Sequence, residues 1–214
     1  MKLNPEKVAY WFFRLNGCLT ITNFVVHPEL RRRDEPRSQR TDVDILAVRF
    51  PYRCELILSG TPMEDHPAFQ LTDNKIDIIL AEVKTGQCRL NGPWTNPEKE
   101  NMQRVLYAIG AFPKKKVDIV ADALYKYSFY ADELFCVRLF AIGREKNSGL
   151  NEKVVQLTWE EISGFIYERF NKYRKEKAHH PQWDYTGKYL YKLSNTEKEK
   201  FIEEILNSIN NFIS

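Results

Sequence analysis

The sequence predicts a single α/β domain, and three observations support that class. The chain has 214 residues, about the size of one large domain. Hydrophobic residues make up 43% and charged residues 29%, which is typical of a globular protein and excludes wholesale disorder. Apolar runs rich in β-branched residues alternate with segments of helical periodicity. Because no linker separates these segments, we expect one domain over residues 1–214.

Helices and strands are predicted in the order helix, three strands, helix, strand, followed by further helices. The strands are apolar runs at 19–26, 43–50, 76–84 and 132–142. Capping residues and the spacing of apolar residues predict helices at 5–15, 97–111, 158–177 and 195–213. We therefore expect a core over about 5–142 and a C-terminal helical extension over about 151–214.

Charge and apolar run lengths narrow the class of function. The net charge is +3, which permits a nucleic-acid partner through local patches but is far from the strong basicity of a DNA coat protein. No apolar run approaches the roughly 20 residues of a membrane span, and the N-terminus lacks the features of a signal peptide. We expect a cytoplasmic protein with no membrane partner.

The four cysteines do not form a metal-binding or disulfide pattern. Cys18, Cys54, Cys88 and Cys136 lie far apart, with no Cys/His pairing at zinc spacing. We predict that they are reduced and mostly buried.

Acidic residues at the ends of two predicted strands carry the first chemical signal. The strand at 76–84 ends in Glu82-x-Lys84, and both side chains lie on one face because strand residues alternate. Asp42 and Asp44 stand at the start of the preceding strand. Acids brought together on neighbouring strands repel each other unless a cation lies between them. A hard divalent ion such as Mg²⁺, which prefers oxygen ligands, fits that role.

A second signal lies on the helix predicted after the Glu-x-Lys strand. Gln103 and Tyr107 are four residues apart, so they share one face of that helix. An amide and a phenol placed together there can reach the same site.

These residues together resemble the PD-(D/E)xK nuclease superfamily, specifically its RecB-like and lambda-exonuclease-like branch with the QxxxY signature. The resemblance rests on Asp44, the run Glu82-Val83-Lys84, and the pair Gln103 and Tyr107. The predicted element order is also the αβββαβ order of that restriction-endonuclease-like fold. The resemblance covers about 5–142 and implies a central mixed sheet flanked by helices, with the C-terminal helices as additions.

The sequence departs from the family pattern at one position. Val43, where the family has proline, precedes Asp44, so the choice between Asp42 and Asp44 stays open. Asp42 is also accounted for as a turn or cap residue leading into the strand.

The resemblance implies a metal-dependent hydrolase that acts on DNA phosphodiester bonds. Asp44 and Glu82, with the carbonyl of Val83, would bind Mg²⁺ or Mn²⁺. Lys84 would orient or help to deprotonate the attacking water and stabilise charge on the phosphate.

Further roles are implied for residues around this centre. Gln103 and Tyr107 would position the substrate, or the lysine and the metal. Glu6, on the first helix, is an additional candidate ligand, as are acids on that helix in some relatives.

An arginine-rich segment at 31–40 precedes the Asp44 strand and is a candidate for binding DNA phosphates. Arg40 is nearest to the expected site, and Arg33 and Arg37 share the segment. By default such a segment is a solvated loop.

Other interpretations of these residues remain open. Glu82 and Lys84 also fit a surface salt bridge at a strand end. One alternative is a catalytically silent subunit of the same fold that binds nucleic acid or a protein partner, although the intact Glu82 and Lys84 speak against it; another is a nuclease that acts on RNA. A chain with one active site nicks one strand, so cutting both strands requires a homodimer or rebinding. We expect either a larger protein partner or a host-defence or mobile-element setting.

Overall fold

The structure is a computed structural model that describes residues 2–27, 41–55, 62–70, 74–178 and 180–212. In these ranges the chain forms an open mixed sheet of six strands with six α-helices packed on its two faces, which confirms the predicted α/β class. Arg33, Arg37 and Arg40 lie outside the described residues. No helix in the described ranges is both long and apolar enough to cross a membrane.

The first helix, α1 (Pro5–Leu15), begins and ends as predicted. The Asn4 side chain caps it by accepting a hydrogen bond from the Glu6 N–H at 2.8 Å. After Asn16 the chain turns through Gly17, whose φ of 75° favours glycine. The apolar face of α1 lies against the sheet, where Trp11, Phe12 and Phe13 are fully buried.

The sheet has the order β1-β2-β3-β5-β4, with β6 also paired to β5. Its strands are β1 (Leu19–Val26), β2 (Thr41–Arg49), β3 (Ile76–Val83), β4 (Phe129–Ala131), β5 (Phe135–Gly143) and β6 (Val155–Thr158). β2 runs antiparallel to β1 and β3, whereas β5 runs parallel to β3. β4 and β6 share the outer edge of β5, one along each half.

The helices divide into two groups, each covering one face of the sheet. After α1 they are α2 (Asn101–Ile109), α3 (Lys114–Tyr127), α4 (Trp159–Lys172), α5 (Tyr185–Leu193) and α6 (Lys198–Asn210). α2 and α3 pack on the face that carries Leu46, Ile78 and Leu80. The other four helices lie on the side of the sheet that carries Ile45 and Ile79, where α5 packs on α1 and α4 and α6 packs on α4. The sheet is thus flanked by helices, as predicted.

The helix predicted at 97–111 is shorter in the structure, and a further helix follows it. A short 3₁₀ helix covers Pro97–Lys99, and α2 starts only at Asn101 and ends at Gly110, which has a φ of 72°. Lys114 is the first residue of α3, which lies beyond the predicted helix. Pro113 stands just before α3 rather than stopping α2, because its fixed φ of −63° suits the entry to a helix.

One strand and one helix, β5 and α4, are shorter than predicted. β5 begins at Phe135 rather than at 132, because the Asp132 carboxylate accepts hydrogen bonds from the backbone N–H groups of Leu134 and Phe135 and holds a turn. α4 has the predicted capping box between Thr158 and Glu161 but ends at Lys172, before the predicted 177. β4, β6, α3 and α5 were not predicted.

Candidate active site

The candidate site lies where β2 and β3 separate. Their ladder pairs Ile45 with Ala81 and goes no further towards the start of β2. The next residues, Asp44 and Glu82, extend from the two strand ends at the same level. Oδ2 of Asp44 accepts a hydrogen bond from the Val83 N–H at 2.7 Å. A carboxylate therefore holds the two strands together at the point where the backbone pairing has ended.

Lys84 completes this cluster. Its Nζ contacts Oε1 of Glu82 and lies 4.0 Å from Oδ2 of Asp44. Its backbone is fixed on both sides, because its N–H donates to the Ile142 carbonyl at 2.9 Å and its own carbonyl accepts from Nε1 of Trp159 at 2.9 Å. The Asp44, Glu82 and Lys84 side chains are thus brought together, and Lys84 is held by β5 and α4.

Glu82 is oriented by residues that sequence reasoning did not identify. Nε1 of Trp94 donates to Oε2 of Glu82 at 2.6 Å, and the Asn91 side-chain amide donates to Oε1. Asn91 precedes a short 3₁₀ helix, Gly92–Trp94, in the segment after β3, and Trp94 is the last residue of that helix. The only sequence signal was an Asn-Gly-Pro-Trp run, in which a tryptophan stands in a turn.

Burial and like charge raise the proton affinity of this site. Glu82 is 2% exposed, and burial raises its pKa; the Asp44 carboxylate raises it further, while Lys84 and Trp94 act in the opposite direction. Burial also raises the pKa of Asp44, against the Val83 N–H and Lys84. Acids with perturbed pKa values beside a lysine are typical of functional sites.

Glu6 lies close enough to Asp44 for the Asp44 carboxylate to affect its pKa. Burial raises the pKa of Glu6, and the Asp44 carboxylate raises it further, while a hydrogen bond from the Asn23 side chain lowers it. Asn23 stands opposite Asp44 in the β1–β2 register and has a φ of 52°. By contrast, Asp42 is exposed and pairs with Val25, two residues further along β1. The structure therefore places Asp44, rather than Asp42, beside Glu82 and Lys84.

The donor set of the site suits a divalent cation with few protein ligands. In the described part of the chain, no three His, Cys, Asp or Glu side chains are grouped so that they could hold a metal ion. Mg²⁺ is often held by only one or two carboxylates, with waters and substrate phosphates as the remaining ligands. Asp44 and Glu82 are two such carboxylates, and the effect of Asp44 on the pKa of Glu82 is a repulsion that a cation relieves.

Gln103 and Tyr107 share a face of α2, as predicted, but they line a different pocket. That pocket has no contribution from Asp44, Glu82 or Lys84. α2 contacts β2 at its start, where the Thr41 hydroxyl donates to the Asn101 side chain. Sequence reasoning therefore identified two groups of residues that the structure does not bring into one cluster.

Fold and site together define an α/β protein with an Asp–Glu–Lys cluster at the ends of two central strands. Compared with known protein families, curated proteins and solved structures, the chain matches none of them. The chemistry of the cluster follows from its own groups: the carboxylates can hold a cation or accept a proton from water, and the ammonium can stabilise a phosphate anion.

Proposed function

We propose that this protein is a divalent-metal-dependent nuclease that hydrolyses phosphodiester bonds in DNA. The observation that carries the proposal is the contact of Lys84 Nζ with Glu82, 4.0 Å from Asp44, at the ends of adjacent strands. The element order supports a restriction-endonuclease-like core, since α1, three antiparallel strands and α2 precede a strand, β5, that runs parallel to β3. This is the arrangement that the PD-(D/E)xK resemblance implies.

Asp44 and Glu82, with the Val83 carbonyl, would hold Mg²⁺ or Mn²⁺. Such an ion supplies Lewis acidity and an activated water for in-line attack on the phosphate. The residues of the chain then have separate tasks. Lys84 offers ammonium donors to the phosphate oxygens or to the attacking water. Trp94 keeps the Glu82 carboxylate in one orientation, because its indole N–H bonds one carboxylate oxygen.

The test is cleavage of supercoiled plasmid, of linear single- and double-stranded DNA and of single-stranded RNA with Mg²⁺, with Mn²⁺ and with EDTA. Glu82→Gln and Lys84→Ala should each reduce the metal-dependent rate at least about 100-fold, since each removes a charged group from the reacting centre. Glu152→Gln and Lys153→Ala are matched controls, because both residues are exposed and next to each other before β6. The controls should cleave like the wild type.

Each outcome assigns the function differently. Metal-dependent cleavage that is lost in both site variants and kept in both controls supports the nuclease. DNA binding without cleavage by the wild type points to a silent subunit that needs a partner. Cleavage of RNA but not DNA changes the substrate while leaving the site in place. Cleavage that both site variants retain would refute the proposal.

A further inference from the structure

The chain forms a β-bulge directly after β3, just beyond Glu82. Val83 of β3 is paired with Ile142 of β5, but Gln87 is bridged to Glu145, so four steps along one segment match three along the other. One extra residue is therefore accommodated between Val83 and Gln87. Bulges of this kind change the direction of a strand and are common next to active sites.

The bulge releases the Lys84 carbonyl from the β3–β5 ladder. In an uninterrupted parallel ladder that carbonyl would accept the Arg144 N–H. Arg144 instead donates to the Gly86 carbonyl at 2.5 Å, and the Lys84 carbonyl accepts from Nε1 of Trp159 at 2.9 Å. Regular pairing therefore stops at Lys84, and the segment after it takes a new path.

Gly143 of β5 lies against this segment at backbone contact distance. A Cβ at Gly143 would lie 2.5 Å from the Gly86 carbonyl oxygen and 2.6 Å from the Cys88 backbone nitrogen. Because both are backbone atoms, no side-chain rotation could relieve the contact. Cys88 is fully buried, and its N–H donates to the Glu145 carbonyl at 2.8 Å. A side chain at position 143 would therefore displace the segment from Gly86 to Cys88.

The position of Cys88 determines where the two residues that hold Glu82 can lie. Asn91 is only three residues after Cys88, a span of at most about 11 Å of chain, and its side-chain amide donates to Oε1 of Glu82. Trp94 ends the 3₁₀ helix that follows and donates to Oε2 at 2.6 Å. A displacement of Cys88 is therefore carried to both donors.

We propose that Gly143 is a positioning residue for the Glu82 carboxylate. It lets the bulged segment pack against the end of β5, and that segment brings Asn91 and Trp94 to the two oxygens of Glu82. This inference rests on the proposed function, in which the orientation of Glu82 serves to hold a metal ion. The position of Trp94, however, can be measured without metal or DNA.

Gly143→Ala tests the inference through the indole N–H of Trp94. The chain has four tryptophans, and the Trp94 signal in a ¹H–¹⁵N NMR spectrum is identified by its loss in Trp94→Phe. In Gly143→Ala this signal should shift, and its exchange with deuterium should become at least about 10-fold faster, because the hydrogen bond to Glu82 is lost. The Kd for Mn²⁺, measured by calorimetry without DNA, should rise about 10- to 100-fold.

Two other glycines supply matched controls. In the described part of the chain, a Cβ at Gly86 would meet no atom within 4 Å, so Gly86→Ala should leave the indole signals and the Kd unchanged. A Cβ at Gly187 would lie 1.9 Å from Trp11, at the contact between α1 and α5. Gly187→Ala should therefore lower stability and shift the Trp11 signal, while the Trp94 signal and the Kd stay as in the wild type. This variant separates a general loss of stability from the loss of Glu82 positioning.

Two further proteins strengthen the test. Deletion of Thr85, an exposed residue within the bulge, removes the extra residue without adding an atom, and it replaces Gly143→Ala if circular dichroism shows that variant to be unfolded. It should shift the Trp94 signal and weaken Mn²⁺ binding in the same way. Gly143→Ala combined with Trp94→Phe should raise the Kd by less than the product of the two separate fold-changes, because both act through one carboxylate.

Two results would overturn the inference: a Trp94 signal and a Kd at wild-type values in the folded Gly143→Ala or deletion protein, or fold-changes that multiply in the double variant. The two proposals can fail separately. If Gly143→Ala shifts the Trp94 signal while the wild type cleaves nothing, the positioning role stands and the nuclease does not. If cleavage depends on Glu82 while Gly143→Ala leaves the Trp94 signal and the Kd unchanged, the nuclease stands and the positioning role does not.

Discussion

The Asp44 carboxylate takes the place of a backbone partner for Val83. Its Oδ2 accepts the Val83 N–H at 2.7 Å, just beyond the last ladder pair between β2 and β3. One oxygen of Asp44 is thus used to join the strands, and the carboxylate as a whole supplies negative charge beside Glu82 and Lys84. The two contributions are separable, because the hydrogen bond needs only an acceptor while the charge needs a carboxylate.

Substitution of Asp44 should therefore separate stability from activity. Asp44→Asn keeps an oxygen that can accept from Val83, so the free energy of unfolding should change little. Asp44→Ala leaves the Val83 N–H without that acceptor and should lower the free energy of unfolding by about 1–3 kcal/mol. Both should lose metal-dependent cleavage. Denaturant unfolding and the plasmid assay measure the two effects, and an Asp44→Asn protein that cleaves at the wild-type rate would contradict this role.

Trp94 tests whether the orientation of Glu82 matters. Trp94→Phe keeps an aromatic ring in a buried position but removes the N–H that donates to Oε2 of Glu82. Loss of a group that orients a metal ligand typically costs 10- to 100-fold in activity or metal affinity. We expect that loss in the cleavage rate at limiting Mg²⁺. Trp183→Phe, on the other face of the sheet, is the control and should cleave normally; equal rates for the two variants would exclude the orienting role.

The predicted site residues that the structure brings together, Asp44, Glu82 and Lys84, share one property, which is that strand geometry alone places them side by side. Alternation along β3 places Glu82 and Lys84 on one face, and the antiparallel neighbour places Asp44 beside them. Asn91 and Trp94 could not be found in this way, because they reach Glu82 from a turn whose path depends on tertiary packing. The same limit applies to the pocket that Gln103 and Tyr107 line, because its walls combine the end of β1 with α2 and α3.

The missed helix α5 shows the corresponding limit for the fold. Its sequence contains Gly187, which lowers helix propensity. The glycine is required by packing, because a Cβ there would lie 1.9 Å from Cζ2 of Trp11 in α1. Asp184 caps α5 by accepting from the Gly187 N–H and also accepts from Nε1 of Trp11, each at 2.9 Å. The helix is thus specified by a contact with α1, which no local pattern reports.

The thiols provide a check of the core that is independent of activity. Of the four free cysteines, Cys54 is exposed and the others are buried. Burial raises the pKa of Cys88 to about 11 and that of Cys136 to about 12, so at pH 8 their reactive thiolate forms are scarce. Native protein should therefore react with Ellman's reagent rapidly at one thiol, and Cys54→Ser should abolish that phase. A fast phase that survives in Cys54→Ser would show that a thiol placed in the core is accessible.

His66 should make stability depend on pH. Its Nδ1 accepts the Ala68 N–H at 3.2 Å, and its ring packs between Phe12 and Phe165. Burial lowers the pKa of His66. The unfolded chain then takes up a proton near pH 6.5 before the folded protein does, so the stability present above pH 6.5 is lost as the pH falls towards the folded pKa. The free energy of unfolding should change by less than about 1.4 kcal/mol per pH unit, the maximum for one proton, because the ring is only half-buried.

His66→Asn isolates this contribution from other groups that titrate in the same range. Asparagine can accept the Ala68 N–H at the start of the 3₁₀ helix Pro67–Phe69 but does not titrate. Between pH 7.5 and 5.5, the free energy of unfolding of the variant should therefore fall less than that of the wild type. Urea unfolding at several pH values measures the difference. Parallel curves for the two proteins would show that His66 gains its proton equally easily in the folded and unfolded chains, and would contradict the effect of its burial.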